Sequence, residues 1–446
     1  MSRAPFRFPA ALLATAVLTP AQDLLPKAPP QSRPVLLQNA VLHTVTGGVV
    51  LGGSLWFDGG VIREVLPADR QPTLPAGVEP LVLDLAGKHV FPGLVSACTT
   101  LGLVEIGMVP QSVDTDESGD FSPEAIAAVA LNPDSAAIPI ARSNGVLTAG
   151  TFPRGGLLPG RASVIRLDGW TNADLTVRAE AGVVVAWPAN QAGRRFRRGP
   201  ERGADGDEEP ERGVRQQRQR IDAAFAAARA WLDARTADPT VPLDVRHEAL
   251  IGALRGEVPV FLLAEEQEQI ESAVRWAGER QLRAVVVGGR DAAQCALLLR
   301  ERAVPVILNG VHRLPRRDDS DYDEAFTLPA RLAAAGVKFC IGTGSDFSND
   351  RNLPYHAATA VAYGLDETRA LAAITQDAAD ILGVGDRLGS LAAGKEATLF
   401  VASGHPFELT TTIDVAFVQG RQVDLRNRQT ELAKKYRERL RQLQSR

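Results

Sequence analysis

The spacing of hydrophobic and polar positions changes along the chain. Between residues 35 and 90, short runs of β-branched residues and leucine alternate with turns rich in glycine, a pattern typical of a small all-β unit. From about residue 91 to about 382, short apolar runs alternate with segments in which apolar residues recur at helical spacing, as in parallel βα units. Further apolar runs predict three late strands at 399–401, 413–418 and 420–423. A charged, exposed helix is expected at 430–442.

Eight apolar runs in the central region predict barrel strands. The first opens with Pro-Gly near residue 92, and the other seven are 146–151, 162–167, 182–187, 258–263, 284–288, 304–308 and 337–342. Helical spacing is clearest at 267–279, 291–302 and 328–335, and a further helix is expected at about 214–235. Strands alternating with helices in this number predict an α/β fold built on a (β/α)8 barrel.

The N-terminus has the pattern of a secretory signal peptide. Arg3 and Arg7 precede an apolar run at 8–18, which is too short to span a bilayer and is followed by Thr19-Pro20-Ala21. We expect cleavage after Ala21 and a mature protein that is periplasmic or secreted.

Composition narrows the classes of partner. The chain has 446 residues, is 45% hydrophobic and has a formal net charge of -4, so no overall basic field favours nucleic acid or an anionic membrane. We therefore expect no nucleic-acid partner and no membrane association after signal cleavage, whereas a small-molecule ligand remains open. Three cysteines permit at most one disulfide, so stability must come from a hydrophobic core.

Two stretches carry a family resemblance. Pro92-Gly93-Leu94-Val95-Ser96-Ala97-Cys98-Thr99-Thr100 resembles the Pro-Gly-Leu-Ile-Asp-Ala-His-x-His-like opening of metal-dependent amidohydrolases of the imidazolonepropionase-like kind. Residues 366–401, which include Gly389-Ser390-Leu391-Ala392-Ala393-Gly394-Lys395, resemble the run that ends the barrel of that family and returns the chain to a flanking β-sandwich. The resemblance covers about residues 35–423 and implies a (β/α)8 barrel beside a small β-sandwich built from both ends of the chain.

Together, pattern and resemblance divide the chain into segments. They are a signal peptide at 1–21, a linker at 22–34, a composite β-sandwich from 35–90 and 391–425, the barrel at 91–390 with a charged insertion at 191–213, and a C-terminal helix at 426–446.

The resemblance also implies a chemistry that the residues do not repeat. Family barrels hold zinc or another divalent metal through four histidines and an aspartate, and the metal generates hydroxide and polarises the scissile carbonyl. Here those positions hold Cys98, Thr100, Leu263, a glycine of the pair Gly288-Gly289, and Gly344. We therefore expect no cofactor, and no metal bound in the way the family binds it.

Five polar residues near the predicted strand ends are the remaining site candidates. Cys98 and Thr100 replace the first histidine pair, and Cys98 offers a thiol as nucleophile or ligand. Glu265 and Asp346 lie next to lost ligand positions, where a carboxylate would serve as a substitute. His312 follows the seventh strand and is an acid-base candidate.

Two functional hypotheses follow. In the first, the chain descends from hydrolases of carbon-nitrogen bonds in cyclic amides or dipeptide-like molecules but is a non-catalytic, ligand-binding pseudoenzyme. In the second, it is an active hydrolase with a rebuilt or metal-free site that uses Cys98, Glu265, His312 or Asp346. Association with itself or with an active paralogue remains open in both.

Overall fold

The computed structural model describes residues 25–189, apart from 76 and 78, and residues 208–444, apart from 318, 345 and 346. The predicted signal peptide at 1–21, most of the charged insertion at 191–213 and the candidate residue Asp346 lie outside the described residues. Within these ranges, no helix combines the length and the apolar character needed to cross a membrane.

The regular elements of the described residues follow the predicted alternation in the central region. The strands are β1 (Val35–His43), β2 (Val49–Asp58), β3 (Val61–Leu66), β4 (Leu81–Asp84), β5 (His89–Pro92), β6 (Leu94–Thr99), β7 (Val146–Thr151), β8 (Gly160–Arg166), β9 (Thr176–Ala186), β10 (Val260–Ala264), β11 (Ala284–Gly288), β12 (Val306–Leu308), β13 (Phe339–Ile341), β14 (Leu399–Ala402), β15 (Ile413–Val418) and β16 (Arg421–Gln422). The α-helices are α1 (Ala137–Arg142), α2 (Asn172–Leu175), α3 (Glu208–Ala237), α4 (Val245–Leu254), α5 (Gln267–Glu279), α6 (Ala296–Glu301), α7 (Glu324–Ala334), α8 (Leu353–Ala362), α9 (Glu367–Ala373), α10 (Gln376–Ile381) and α11 (Arg428–Gln444). Short 3₁₀ helices occupy Pro110–Ser112, Ala127–Val129 and Phe347–Asn352.

Strands from both ends of the chain form one sheet. Its order is β16-β15-β14-β5-β1-β2-β3, with β4 paired to β1. The returning strand β14 runs antiparallel to β5, with Val401 opposite Val90, so the C-terminal segment joins the strand that leads into the barrel. Alternate side chains, among them Leu37 and Phe417, are buried and form the core of this domain. The predicted β unit assembled from both chain ends is confirmed as a single eight-stranded sheet.

The second sheet is the barrel, and it also confirms the predicted fold class. Strands β6 to β13 follow one another in chain order, and β13 lies beside β6, so the sheet nearly closes. One strand departs from the expected parallel arrangement, because β8 runs antiparallel to both β7 and β9. Residues 152–159 between β7 and β8 are too few for the crossover that parallel strands require. Periodicity alone gave no strand direction, since both arrangements alternate side chains with a period of two.

Apolar side chains fill the barrel interior. Val95, Val164, Val287 and Ile307 are buried there in one cluster, and the rings of Phe152 and Phe261 meet edge to face with centroids 4.9 Å apart. The interior is therefore a packed core. A ligand site must lie at the rim, where the carboxyl ends of the strands open into loops.

The two flanking helices α3 and α11 differ in how they meet the core. The helix predicted at 214–235 begins earlier, at Glu208, and its buried stripe includes Ile221 and Phe225. The Phe225 ring contacts Trp276 edge to face, which packs α3 against α5. By contrast, α11 buries no residue, as expected for a charged terminal helix.

Candidate functional site

Three neighbouring strands end level with one another at the barrel rim. Ala264 at the end of β10 pairs with Gly288 at the end of β11, and Gly288 pairs with Leu308 at the end of β12. Because these strands are parallel, the residues that follow each end meet at the same edge. This register brings Glu265 and Asn309 together.

The carboxylate of Glu265 is held at this edge by two hydrogen bonds. Asn309 Nδ2 donates to Oε1 at 3.1 Å, and the backbone N–H of Arg290 donates to Oε2 at 3.1 Å. The backbone of Glu265 is fixed as well, because its N–H donates to Oε1 of the buried Gln269 in the first turn of α5 at 2.8 Å. The helix predicted at 267–279 thus sets the position of the acid that precedes it.

Gly288 makes room for that carboxylate. A Cβ at this position would lie 2.6 Å from Cδ and 2.7 Å from Oε1 of Glu265, closer than van der Waals contact allows. Its φ of +111° also disfavours any residue with a side chain. Gly288 is one of the two glycines at which the resemblance implies a histidine, and the space that a side chain at Gly288 would enter contains Glu265.

The two residues at the first histidine pair are buried, Cys98 within β6 and Thr100 directly after it. Cys98 is 1% exposed and Thr100 is 5% exposed. Burial raises the pKa of the Cys98 thiol to about 11, and nearby Arg154 offsets only part of this effect. Since the thiolate is the form that attacks substrates and binds metals, the thiol of Cys98 is unreactive at neutral pH. Cys98 thus lies in the packed core near the carboxyl end of β6, within electrostatic range of Glu265 and Arg154 but outside the lining of the cavity.

A fully buried carboxylate, Asp350, joins the first and last barrel strands. Ser96 and Thr99 of β6 donate hydrogen bonds to its two oxygens at 2.6 and 2.5 Å, and Thr343 after β13 donates at 2.8 Å. Asp350 lies in the 3₁₀ helix Phe347–Asn352. These hydrogen bonds connect β6 to the segment after β13, the two strands between which the barrel closes, so Asp350 stabilises that closure.

Three arginines at or near the rim have buried N–H groups without a hydrogen-bond partner among the described residues. They are Arg154 through Nε and Nη2, Arg290 through Nε, and Arg313 through both Nη atoms. Arg313 Nη1 lies 3.7 Å from Glu324 Oε1, which is too long for a hydrogen bond. Asn309 Oδ1 is a buried acceptor that also has no partner in this part of the chain. Both carboxylate oxygens of Glu324 are buried without a hydrogen bond as well, so Glu324 is the nearest counter-charge of Arg313.

A cavity of about 210 Å³ lies between these groups. Its polar walls are Glu265, Arg290, Asn309 and Arg313, and its apolar walls include Leu308 and Leu328. Three glycines complete it, Gly288, Gly310 and Gly344, and they leave backbone accessible to a ligand. The volume is below the range of about 300–1,000 Å³ that is typical of pockets for drug-sized molecules.

His312 lies apart from the cavity lining. Its Nε2 is 2.8 Å from Thr359 Oγ1, and its ring stacks on His356 with centroids 4.0 Å apart. His356 accepts the Val311 N–H at 3.0 Å, and burial lowers its pKa to about 3, so it is a neutral packing residue. The pair shapes the loop after β12, and the loop residues that reach the cavity are Gly310 and Arg313.

The residues at the rim do not fit the divalent metal that the resemblance implies. The ligand positions hold a buried thiol, a threonine, a leucine and glycines, and Glu265 occupies the space of the sixth-strand histidine. Among the described residues, no three His, Cys, Asp or Glu side chains are arranged to hold a metal ion. Asp346 is outside that comparison.

Of the candidates taken from the sequence, the structure places Glu265 in the cavity lining, Cys98 in the packed core near the end of β6, Thr100 directly after β6, and His312 in the loop after β12. The residues that pattern analysis missed are Arg154, Arg290, Asn309, Arg313 and Asp350. A single arginine or asparagine in a loop has little specificity by itself. The available signal was position, since Arg290 and Asn309 come within two residues of a strand end.

Comparison with known proteins places these observations in a family context. Residues 267–423 match the sequence model of the Amidohydrolase family. No curated protein matches the chain.

Solved structures match over most of the chain. An amidohydrolase from Thermotoga maritima MSB8 covers 88% of this chain and 100% of its own, with a TM-score of 0.76 and 24% sequence identity. Phenylurea hydrolase B covers 88% of this chain and 97% of its own, with a TM-score of 0.54 and 17% identity. Molinate hydrolase covers 90% of this chain and 96% of its own, with a TM-score of 0.53 and 16% identity. At such identities the likeness establishes a shared fold.

Proposed function

We propose that this chain is a divergent member of the amidohydrolase superfamily that uses the barrel rim to bind a small molecule and does not perform metal-dependent hydrolysis; the match of residues 267–423 to the family model and the shared fold support this. The observation that carries this proposal is the exchange at β11. Gly288 lacks a ligating side chain, and the carboxylate of Glu265 fills the space where one would lie. A metal site would need both residues to change together.

The arrangement of the polar groups supports binding over catalysis. Glu265 accepts hydrogen bonds from Asn309 and from the backbone of Arg290, so both of its carboxylate oxygens are already engaged by protein donors. The remaining polar atoms of the cavity are mostly N–H donors. Donors of this kind hold a ligand, whereas hydrolysis also needs a nucleophile or an activated water.

The alternative of a metal-free hydrolase has less support. It requires a nucleophile beside a base. Cys98 is buried with its pKa raised to about 11, and His312, in the loop after β12, forms a hydrogen bond with Thr359 of α8. The contacts of the described residues do not join these two groups. Of the candidates that the structure describes, Glu265 is the one that lines the cavity.

We also propose that the protein is exported. The support is the sequence pattern of residues 1–21, with its basic start, short apolar run and small residues at the end. Intact mass measurement of the exported chain tests this, because cleavage after Ala21 leaves Gln22 as the first residue. A mature protein that retains residues 1–21 would contradict export by this route.

Metal content and hydrolysis are measured on the same preparation. The protein is expressed with zinc, manganese and iron supplied, purified without chelator, and analysed for metals and for hydrolysis of N-acyl amino acids and cyclic imides. We expect metal well below one ion per chain, no turnover, and no rise in melting temperature when the same metals are added. A specific ion would raise the melting temperature by mass action.

The Glu265→Ala variant tests whether Glu265 ligates a metal. If Glu265 does not ligate a metal, the variant keeps the low metal content of the parent. Near-stoichiometric metal in the parent, lost in the variant together with turnover, would refute the proposal and identify Glu265 as a rebuilt ligand.

A further inference from the structure

We propose that the helix α11 (Arg428–Gln444) is a docking surface for an anionic lipid membrane, and that it lies along the membrane surface without crossing it. This surface is separate from the rim cavity, so the inference does not depend on the proposed function. It draws on the exposure of the helix, on a stripe of apolar side chains and on the placement of the charges around that stripe.

The helix leaves the body of the protein from a fixed base. The buried Asn427 caps it, because its Oδ1 accepts the N–H of Thr430 at 3.0 Å and its Nδ2 donates to Ser143 Oγ at 2.8 Å. Beyond this cap, every residue of α11 is exposed. Most helices in proteins are stabilised by packing one apolar face, and no other described part of the chain buries such a face of α11.

Large apolar side chains form a stripe along α11. Leu432, Tyr436, Leu440 and Leu443 are between 40% and 60% exposed. At 3.6 residues per turn, their spacing of four, four and three residues places all four within an arc of about 80°. A continuous exposed stripe of this kind marks a contact surface, whereas single exposed apolar residues do not.

The charges of α11 are sorted around this stripe. The helix carries six arginines and lysines but only two glutamates. By the same helical spacing, Glu431 and Glu438 lie opposite the stripe, Lys435 and Arg439 flank it on one side, and Arg437 flanks it on the other. A partner laid against the stripe therefore meets apolar groups and cations but no carboxylate. A basic amphipathic helix of this kind is typical of helices that lie on anionic membranes.

An anionic bilayer matches this surface better than a second copy of the helix does. A second α11 would bring its own Lys435 and Arg439 beside the same basic flanks, and like charges would repel. The bilayer offers negative headgroups to the flanking cations and an apolar region to the stripe. The long stems of lysine and arginine allow both contacts at once, because the charged ends reach the headgroups while the stems stay in the apolar region.

The overall charge of the chain does not oppose this contact. The net charge of -4 predicts no membrane association, but that value averages over the whole molecule. Interactions between exposed charges are screened beyond about 8–10 Å at physiological ionic strength, whereas a helix of 17 residues extends for about 25 Å. The local charge of α11 therefore decides how this surface interacts.

Vesicle co-sedimentation tests the proposal. The chain is prepared without residues 1–21, because the apolar run at 8–18 would insert into vesicles by itself. We expect the protein to bind phosphatidylcholine vesicles that contain about one third phosphatidylglycerol at least tenfold more tightly than vesicles of phosphatidylcholine alone, and to bind more weakly as salt is added.

Variants connect the binding to the two parts of the surface. Leu440→Gln with Leu443→Gln, and separately Lys435→Gln with Arg439→Gln, are each expected to weaken binding to the anionic vesicles about tenfold. Their melting temperatures should equal that of the parent, because all four side chains are exposed. The matched controls replace exposed residues outside α11: Leu297→Gln with Leu409→Gln, and Arg300→Gln with Arg331→Gln.

Three results would overturn the proposal. The first is equal binding to anionic and neutral vesicles, or binding to neither. The second is a loss of binding in the α11 variants no larger than in the matched controls; if only the leucine variant keeps full binding, the contact is one of charge alone. The third is a dimer, detected by light scattering without vesicles, that the leucine variant abolishes, since this would assign the stripe to a second copy of the chain.

Discussion

Removing the carboxylate of Asp350 should loosen the closure of the barrel. Asp350 is 0% exposed and accepts hydrogen bonds from Ser96, Thr99 and Thr343, which belong to the first barrel strand and the segment after the last. A hydrogen bond to a charged group is worth about 1.5–3 kcal/mol, but the freed hydroxyls of Asp350→Ala would recover part of this through other partners. We expect a net loss of about 4 kcal/mol in the free energy of unfolding.

This loss translates into a measurable melting shift. Unfolding entropy is about 2.1 cal/mol/K per residue, so for 446 residues a loss of about 4 kcal/mol lowers the melting temperature by about 4 °C. Differential scanning calorimetry of Asp350→Ala, Asp350→Asn and the exposed control Asp69→Ala provides the comparison. Asp350→Asn keeps the size and one acceptor oxygen, so it should lose less. A shift below about 1 °C for Asp350→Ala, or one no larger than that of Asp69→Ala, would refute the view that this carboxylate fastens the barrel.

Three further predictions concern the rim and its surroundings. Gly288→Ala should lower the free energy of unfolding by about 2 kcal/mol in a urea titration, because Gly288 has a positive φ and a Cβ there would contact Glu265. The control Gly213→Ala, at an open position in α3, should be neutral or stabilising in the same titration. Equal effects of the two substitutions would contradict the role given to Gly288. Cys98 should resist iodoacetamide in the native protein at pH 7.5 and react after denaturation, as read by mass spectrometry, since its pKa is raised to about 11 and it is 1% exposed; rapid native labelling would revive Cys98 as a nucleophile. His356 has its pKa lowered from 6.5 to about 3, so its contribution to stability is complete above pH 6.5 and declines as the pH falls toward 3, by about 2 kcal/mol at pH 5. Urea unfolding at pH 7 and pH 5 should show a smaller pH effect in His356→Gln than in the parent, and an equal effect would exclude His356 as its source.

Local pattern was enough to locate most of the barrel elements. The strands at 146–151 and 284–288 and the helix at 267–279 have the bounds that their apolar spacing predicts. These elements bury one face or both against a single core, so the sequence must repeat the period of the element. The motif near Pro92 and the run at 366–401 then predicted the family fold.

The direction of β8 and the early start of α3 were not predicted from the same pattern. Apolar periodicity is identical for parallel and antiparallel strands, so the short connection of residues 152–159 was the deciding feature for β8. The first residues of α3 are charged, and no apolar spacing distinguishes them from a loop.

At the candidate site, the difference between what the sequence predicts and what the tertiary structure decides is larger. The resemblance carried by the sequence predicted that the family's histidine positions hold other residues, and Glu265 became a candidate because that acid directly follows a strand. Only the tertiary structure decided that Glu265 lies over Gly288, that Asn309 and two arginines face the same cavity, and that Asp350 joins β6 to the end of β13. These contacts link residues far apart in the chain. They depend on the register in which the strands pair, a property that no single segment of sequence contains.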